Sequence, residues 1–332
     1  MDEKQKLMNN NIFFVDYSHN NQIDEYDLIF CFVGDNQFFE EYKQIIFKLD
    51  ETILPNNFKI AVITQNQQDN SKIIENIQQQ NKPFVIMSNN NKFKEKIIGI
   101  ETEKTIIITP KLNNTSSSSH TIMQYVKKIQ STQNRQLFLL GYQSYYTENK
   151  FIEELKKQGV ECIRLAEVQK DLLEIEPILR ETNFMYLDLS SIKNNELQAI
   201  STPLPAGFSS IEICKMFHYF GLSQTNQIVF LEGYDPQKDI QEIGATQIAQ
   251  YFWHFISSMN FRKEYIKQKI DFEIKIVEKK DPSLKLKFRK CPLTERWWFE
   301  TTQDNWHSCS YLDYYNVQKA ILSNRLSKYF VR

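Results

Sequence analysis

Asn183–Asp239, NFMYLDLSSIKNNELQAISTPLPAGFSSIEICKMFHYFGLSQTNQIVFLEGYDPQKD, is the stretch whose reading decides the fold. Its apolar run Phe184–Leu187 ends in Asp188 and a polar loop. That is the pattern of a strand buried on both faces that presents a carboxylate at its C-terminal tip, the edge where open α/β sheets keep their sites. Pro203-Leu204-Pro205-Ala206-Gly207 carries too much proline and glycine for a helix or a central strand, and Ser209-Ser210-Ile211-Glu212 reads S-x-x-E, a capping box that opens a helix. Ile211, Cys214, Phe217 and Phe220 recur at helical spacing, Gly221 is expected to stop the helix, and Gln227–Leu231 to form a second strand running into Glu232-Gly233-Tyr234-Asp235-Pro236. The unit is strand, loop, helix, strand, with an acidic residue at each strand tip.

The same alternation extends toward the N-terminus. DLIFCFVG (Asp27–Gly34) and FKIAVIT (Phe58–Thr64) are continuous apolar runs, and between them Phe39, Tyr42, Ile46 and Leu49 fall at helical spacing, a strand–helix–strand crossover. Further strands are expected at Phe84–Met87, Thr105–Thr109, Gln136–Leu140 and Glu161–Leu165. Helices are expected at 66–80, Asn91–Ile98, Ile122–Ile129 and Glu148–Gln158, with a Ser-rich loop at Asn113–His120. Ile248, Phe252, Phe255 and Met259 mark a long helix ending near Phe261. Beyond it Asp271–Val277, Leu284–Arg289 and Arg296–Thr301 read as antiparallel strands, and Tyr311–Tyr329 as a closing helix.

The 332 residues can bury a large core. Forty basic against 41 acidic side chains leave a net charge of -1, with no field of one sign to attract nucleic acid. Five cysteines are scattered without a C-x-x-C pair and read as buried thiols of a reducing compartment rather than disulfides or a zinc site. No apolar run approaches the roughly 20 residues that cross a bilayer, and from Met1-Asp2-Glu3-Lys4 neither a secretory nor a transit signal is expected. With eight glycines there is no P-loop and no G-x-G-x-x-G, so nucleotide binding has no motif behind it.

Taken together, the strand ending in Asp188, the Pro/Gly loop running into a capped helix, and the acidic loop ending in Pro236 resemble the ureohydrolases, the family of arginase, agmatinase and formimidoylglutamase. That family shares a D-x-D strand end, a P-x-G helix start and an E-x-N-P-x-x-D loop. Closest is a bacterial formimidoylglutamase-like branch. It is matched by Leu140-Gly141-Tyr142-Gln143-Ser144-Tyr145, by Glu174-Ile175-Glu176-Pro177-Ile178-Leu179-Arg180, and in the tail by Arg296-Trp297-Trp298 and Cys309-Ser310-Tyr311-Leu312-Asp313-Tyr314. The resemblance covers about Gln136 to Arg332. It implies an α/β, three-layer arginase-like fold, with a central mostly parallel sheet, helices on both faces and a C-terminal strand and helix tail. The expected division is 1–265 for the α/β domain and 266–332 for an extension packed on it.

The resemblance also implies a site in which a hydroxide bridges two manganese ions, held by a G-G-x-H turn, a D-A-H-x-D segment and the D-x-D strand. At the corresponding positions stand Ser88-Asn89-Asn90-Asn91, then Thr109-Pro110-Lys111-Leu112-Asn113, then Asp188 with Ser190. Asn90, Asn91, Thr109, Lys111, Asn113, Asp188 and Ser190 are accordingly expected to be vestigial metal-site positions, and Glu232 and Gly233 vestigial substrate-site positions. Glu232 would lie on the opposite face if its strand continued past it. Asp188 is expected to accept backbone N–H bonds or to pair with Lys111. His120 is the one histidine on a site-side loop.

These substitutions lead to the expectation of a catalytically inactive relative with no cofactor, serving as a structural or interaction subunit of a larger, mitochondrial assembly. Arg296, Trp297 and Trp298 are its possible interface, other protein subunits its partners, and homo-oligomers possible by analogy with the family. The alternatives are an active metal-dependent formimidoylglutamase or guanidino hydrolase, a non-catalytic small-ligand sensor, and a cytoplasmic rather than mitochondrial location. A secreted protein and a nucleic-acid partner are not expected.

Overall fold

The computed structural model describes residues 11–15, 23–65, 74–75, 77, 82–88, 90–98, 100, 102–112, 126, 135–223, 227–266, 270–279, 284–302 and 304–330. The helices expected at 66–80 and Ile122–Ile129 and the Ser-rich loop fall wholly or largely outside these. Among the described residues, nine strands form one sheet: β1 (Ile12–Phe14), β2 (Leu28–Val33), β3 (Ile60–Gln65), β4 (Phe84–Ser88), β5 (Lys104–Ile108), β6 (Gln136–Tyr142), β7 (Glu161–Arg164), β8 (Phe184–Asp188) and β9 (Ile228–Glu232). Their order is β1-β3-β2-β4-β9-β8-β5-β6-β7, with parallel pairing throughout.

The apolar runs explain that topology. Parallel strands need crossovers that cover both faces, so side chains of both parities must be apolar. In β8 and β9, Met185, Leu187, Val229 and Leu231 enter the core on one face. Phe184, Tyr186, Ile228 and Phe230 enter the core on the other. The first face is covered by the helices Asn36–Asp50, Ser210–Gly221 and Ile243–Ile266, with Phe30 and Phe252 packed edge to face at 5.0 Å. The capping box that opens Ser210–Gly221 is formed, Ser209 and Glu212 satisfying each other's backbone N–H groups. Gly221, expected to end that helix, lies inside its last turn. A Cβ there would come within 2.6 Å of the Phe255 carbonyl oxygen, so glycine is required by close helix packing rather than by a left-handed cap.

A second sheet is antiparallel, in the order β10 (Glu273–Lys279), β11 (Leu284–Lys290), β12 (Trp297–Thr302), β13 (Asn305–Cys309). Val277, Leu286, Phe288, Trp297 and Phe299 bury one face of it under the C-terminal helices. The single closing helix expected at Tyr311–Tyr329 is two, Tyr311–Gln318 and Asn324–Phe330. Ala320 between them takes φ 61°, a left-handed conformation that an α-helix cannot contain. The fourth strand, β13, has no counterpart in the sequence reading. Asn305-Trp306-His307-Ser308-Cys309 carries no apolar alternation, and its place is set by pairing with β12.

The tail is fastened by charge as well as by packing to the helix Glu176–Glu181 and the turn before it. Buried Arg180 donates to Glu176 at 2.6 Å and to the Trp297 carbonyl oxygen at 3.2 Å. Arg296 reaches the same carboxylate at 3.2 Å, and Arg325 donates to the Glu174 carbonyl oxygen at 2.6 Å. The two guanidinium groups share Glu176, which keeps a buried acid from standing alone.

Candidate functional site

The carboxylates of Asp188 and Glu232 meet at the C-terminal edge of the large sheet. They are the last residues of β8 and β9, paired in register. The even residues of both strands share a face, so Tyr186 and Phe230 lie one step below them with rings stacked 5.6 Å apart. The expectation that Glu232 would turn to the opposite face does not apply, because β9 stops there: Gly233 takes φ 98° and leads the chain away. A Cβ on Gly233 would sit 3.6 Å from Asp188 Oδ1, in ordinary contact, so it is the backbone turn that favours glycine.

Asp188 is held by hydroxyls and a backbone amide. Its Oδ1 accepts from the Ser190 N–H at 2.9 Å and the Ser190 hydroxyl at 2.6 Å, and its Oδ2 from the Thr109 hydroxyl at 3.1 Å. The expected pairing with Lys111 is not made. Lys111 Nζ lies 4.8 Å from the centre of the Tyr146 ring, a cation–π contact that draws the ammonium off the carboxylate. Glu232 instead pairs with Lys94 and accepts from the Tyr186 hydroxyl. Neither partner is singled out in the sequence: Lys94 falls within the helix expected at Asn91–Ile98 and Tyr186 within the apolar run Phe184–Leu187.

The remaining expected positions separate by role. Asn90 accepts from the Phe93 N–H at 3.2 Å and so caps the helix Asn91–Ile98 that carries Lys94. Asn91 opens that helix. Asn89, Asn113 and His120 lie outside the described residues. Ser190, buried, serves Asp188. Trp297 is buried in the core of the tail, Arg296 is bound to Glu176, and Trp298 stacks against Arg180 with 4.4 Å between guanidinium carbon and ring centre.

Burial pushes the Asp188 carboxyl above its ordinary value and the Glu232 charge adds to the rise, while the bonds from Ser190 and Thr109 oppose it. Burial, then the two carboxylates, push the Tyr186 phenol well above its own, so it remains a proton donor. The edge thus offers one carboxylate poised to take up a proton and a second held by a cation and a phenol.

Two manganese ions do not fit this donor set. Among the described residues no three His, Cys, Asp or Glu side chains come together in a way that could hold a metal ion, and one of the two carboxylates is already paired with Lys94.

No protein-family model and no curated protein matches the chain. Solved structures do. Agmatine ureohydrolase of Thermoplasma volcanium matches with a TM-score of 0.55 at 12% identity, over 74% of this chain and 93% of that one. Formiminoglutamase of Trypanosoma cruzi, solved with Mn2+, gives 0.58 at 13%, over 74% and 97%. Arginase of Bacillus caldovelox gives 0.53 at 11%, over 70% and 98%. These likenesses establish the fold. They also overturn the expectation of an inactive relative: the counterparts are enzymes, and nothing in the likeness shows a loss of activity. A count of lost aligned ligands could not decide the matter, because it left out Tyr186 and Lys94, which furnish the same edge with a phenol and an ammonium.

Proposed function

We propose, for a chain that has the three-layer ureohydrolase fold, that it is a hydrolase acting on the C–N bond of a linear amidine, a guanidino or formimino compound. The observation that carries this reading is the in-register pair of carboxylates, Asp188 and Glu232, at the edge where the fold keeps its chemistry. An amidinium is a planar cation whose parallel N–H bonds match a carboxylate. Glu232 supplies the anchoring charge, and the substrate cation competes with Lys94 for it. Asp188 has its proton affinity raised by burial and acts as the base. It takes a proton from water as the water oxygen bonds to the amidine carbon. When the C–N bond breaks, the same proton passes to the departing nitrogen.

The test is product release by the full chain from formiminoglutamate, arginine and agmatine, with and without added manganese. Formamide, urea or ammonia should be released, and Asp188→Asn should abolish the release. No product from any of the three in either arm overturns the reading.

A further inference from the structure

A cleft of about 250 Å³ opens between the outer face of the second sheet and the end of the helix Ile243–Ile266, away from the Asp188 edge. Its lining is cationic. Lys104, Arg180, Arg262, Arg289 and Arg296 contribute positive charge, against the carboxylates of Glu103 and Glu181. Glu176, behind the wall, pairs with Arg180 and Arg296, and Lys104 pairs with Glu181. Counting Glu176 with the lining, five cations face three carboxylates. This cation-rich lining encloses a partly desolvated space, where an anion is held more strongly than in water.

The antiparallel register shapes one wall of the cleft. It sets Arg289 opposite Trp298, and the Arg289 guanidinium carbon lies 5.2 Å from the Trp298 ring centre, 4.5 Å from Trp306 and 4.6 Å from Phe272. A guanidinium stacked on rings is fixed in its plane, so its orientation toward a ligand costs little further entropy. Arg262 approaches from the helix end, donating to Gln227 Oε1 at 3.3 Å, and burial holds its guanidinium below its usual range. That burial cost is relieved by an anion.

We propose that this cleft binds a small phosphate-bearing molecule. A phosphate group carries about −1.5 to −2 charge at neutral pH, which suits a lining with more cations than carboxylates, and its oxygens suit guanidinium donors. The aromatic rings are engaged with arginines and so orient those side chains toward an anion.

The experiment is a titration of the intrinsic tryptophan fluorescence of the full chain, in which two of the four tryptophans, Trp298 and Trp306, line the cleft. The probes are inorganic phosphate and glycerol phosphate, with chloride and acetate at matched ionic strength as controls. A saturable change is expected with phosphate or its ester and not with the controls. Whichever of the two probes binds more tightly identifies free phosphate or an ester as the source. Arg262→Gln and Arg289→Gln should each weaken binding about tenfold or more, and Asp188→Asn should bind as the unaltered chain does. If Arg289→Gln fails to fold, Arg262→Gln alone carries the comparison. Absence of a saturable change with both phosphate probes, an equal response to acetate, or unchanged affinity in Arg262→Gln overturns the proposal.

Discussion

Asp188 and Glu232 stand in register at the tips of neighbouring parallel strands, yet one is bound by hydroxyls and a backbone amide and the other by an ammonium and a phenol. The difference in company gives the two carboxylates different tasks, and it makes their variants behave differently.

Asp188→Asn and Asp188→Ala should move stability in opposite directions. Because the folded chain holds the Asp188 proton more tightly than the unfolded one, this residue's contribution to stability is present below the ordinary aspartate value near 3.9. It is lost as pH rises through the higher folded value. Asparagine keeps acceptor capacity for Ser190 without the buried charge, so at neutral pH the variant should melt higher than the unaltered chain, and at pH 4 the gain should shrink. Alanine leaves the Ser190 and Thr109 donors without their acceptor, at a cost of about 1–3 kcal/mol. Thermal melts at the two pH values check both. An Asp188→Asn variant that melts lower at neutral pH would show that the carboxylate's hydrogen bonds outweigh its burial cost.

Lys94→Met should increase affinity for guanidinium compounds. The ammonium occupies the charge of Glu232 that an amidinium would use, and the methionine stem preserves the packing of the partly buried lysine while removing that competitor. Calorimetric titration with arginine should show binding tightened by about tenfold, and Glu232→Gln in the same background should reverse it. Equal affinity with and without Lys94 would place the substrate cation elsewhere.

Much of this was legible in the chain. Phe184–Leu187 and Ile228–Leu231 announce buried parallel strands because both parities are apolar, and Ser209-Ser210-Ile211-Glu212 announces its helix because capping is a local interaction. Asp188 could be found because a charge that ends an apolar run has to lie at a sheet edge. Lys94 and Glu232 could not be paired in advance: 138 residues separate them, and only the insertion of β9 beside β4 brings the helix after β4 over the Glu232 tip. The cleft was hidden for the same reason. Trp298 signals an interface of some kind, but that Arg289 lies opposite it follows from a strand register no local pattern specifies.

Acid should loosen the contact between the helices Ser210–Gly221 and Ile243–Ile266. Burial holds both His218 and His254 below the ordinary histidine value, with Arg296 adding to the effect on His218, and His218 Nδ1 lies 2.5 Å from the Ser258 hydroxyl. A histidine with a lowered folded value contributes stability that is present above its unfolded value, near 6.5, and is lost as pH falls through the folded one. Urea midpoints should therefore decline from pH 7 to pH 5, and less steeply in His218→Gln. A decline of the same steepness in the variant would assign the acid sensitivity to other groups.

Trp297 and Trp298 are adjacent in sequence but point to opposite faces of β12, so their removal should have separable effects. Trp297 is 7% exposed, stacks on Tyr314 with ring centres 4.5 Å apart and planes at 21°, and lies against Tyr311 at 5.8 Å. Its own carbonyl oxygen accepts the Arg180 bond that ties the tail to the helix Glu176–Glu181. Trp297→Ala should leave a cavity in the small core of the tail and cost about 3–5 kcal/mol, as large-to-small changes of buried aromatics do. Trp298 is only half-buried and holds guanidinium groups rather than core side chains. Trp298→Ala should cost about 1–2 kcal/mol and weaken phosphate binding, because Arg180 and Arg289 lose the ring that orients them. Urea unfolding monitored by far-UV circular dichroism, paired with the phosphate titration, measures both quantities for each variant. Equal losses of stability, or retained phosphate affinity in Trp298→Ala, would break the division between a structural and a binding face of the second sheet.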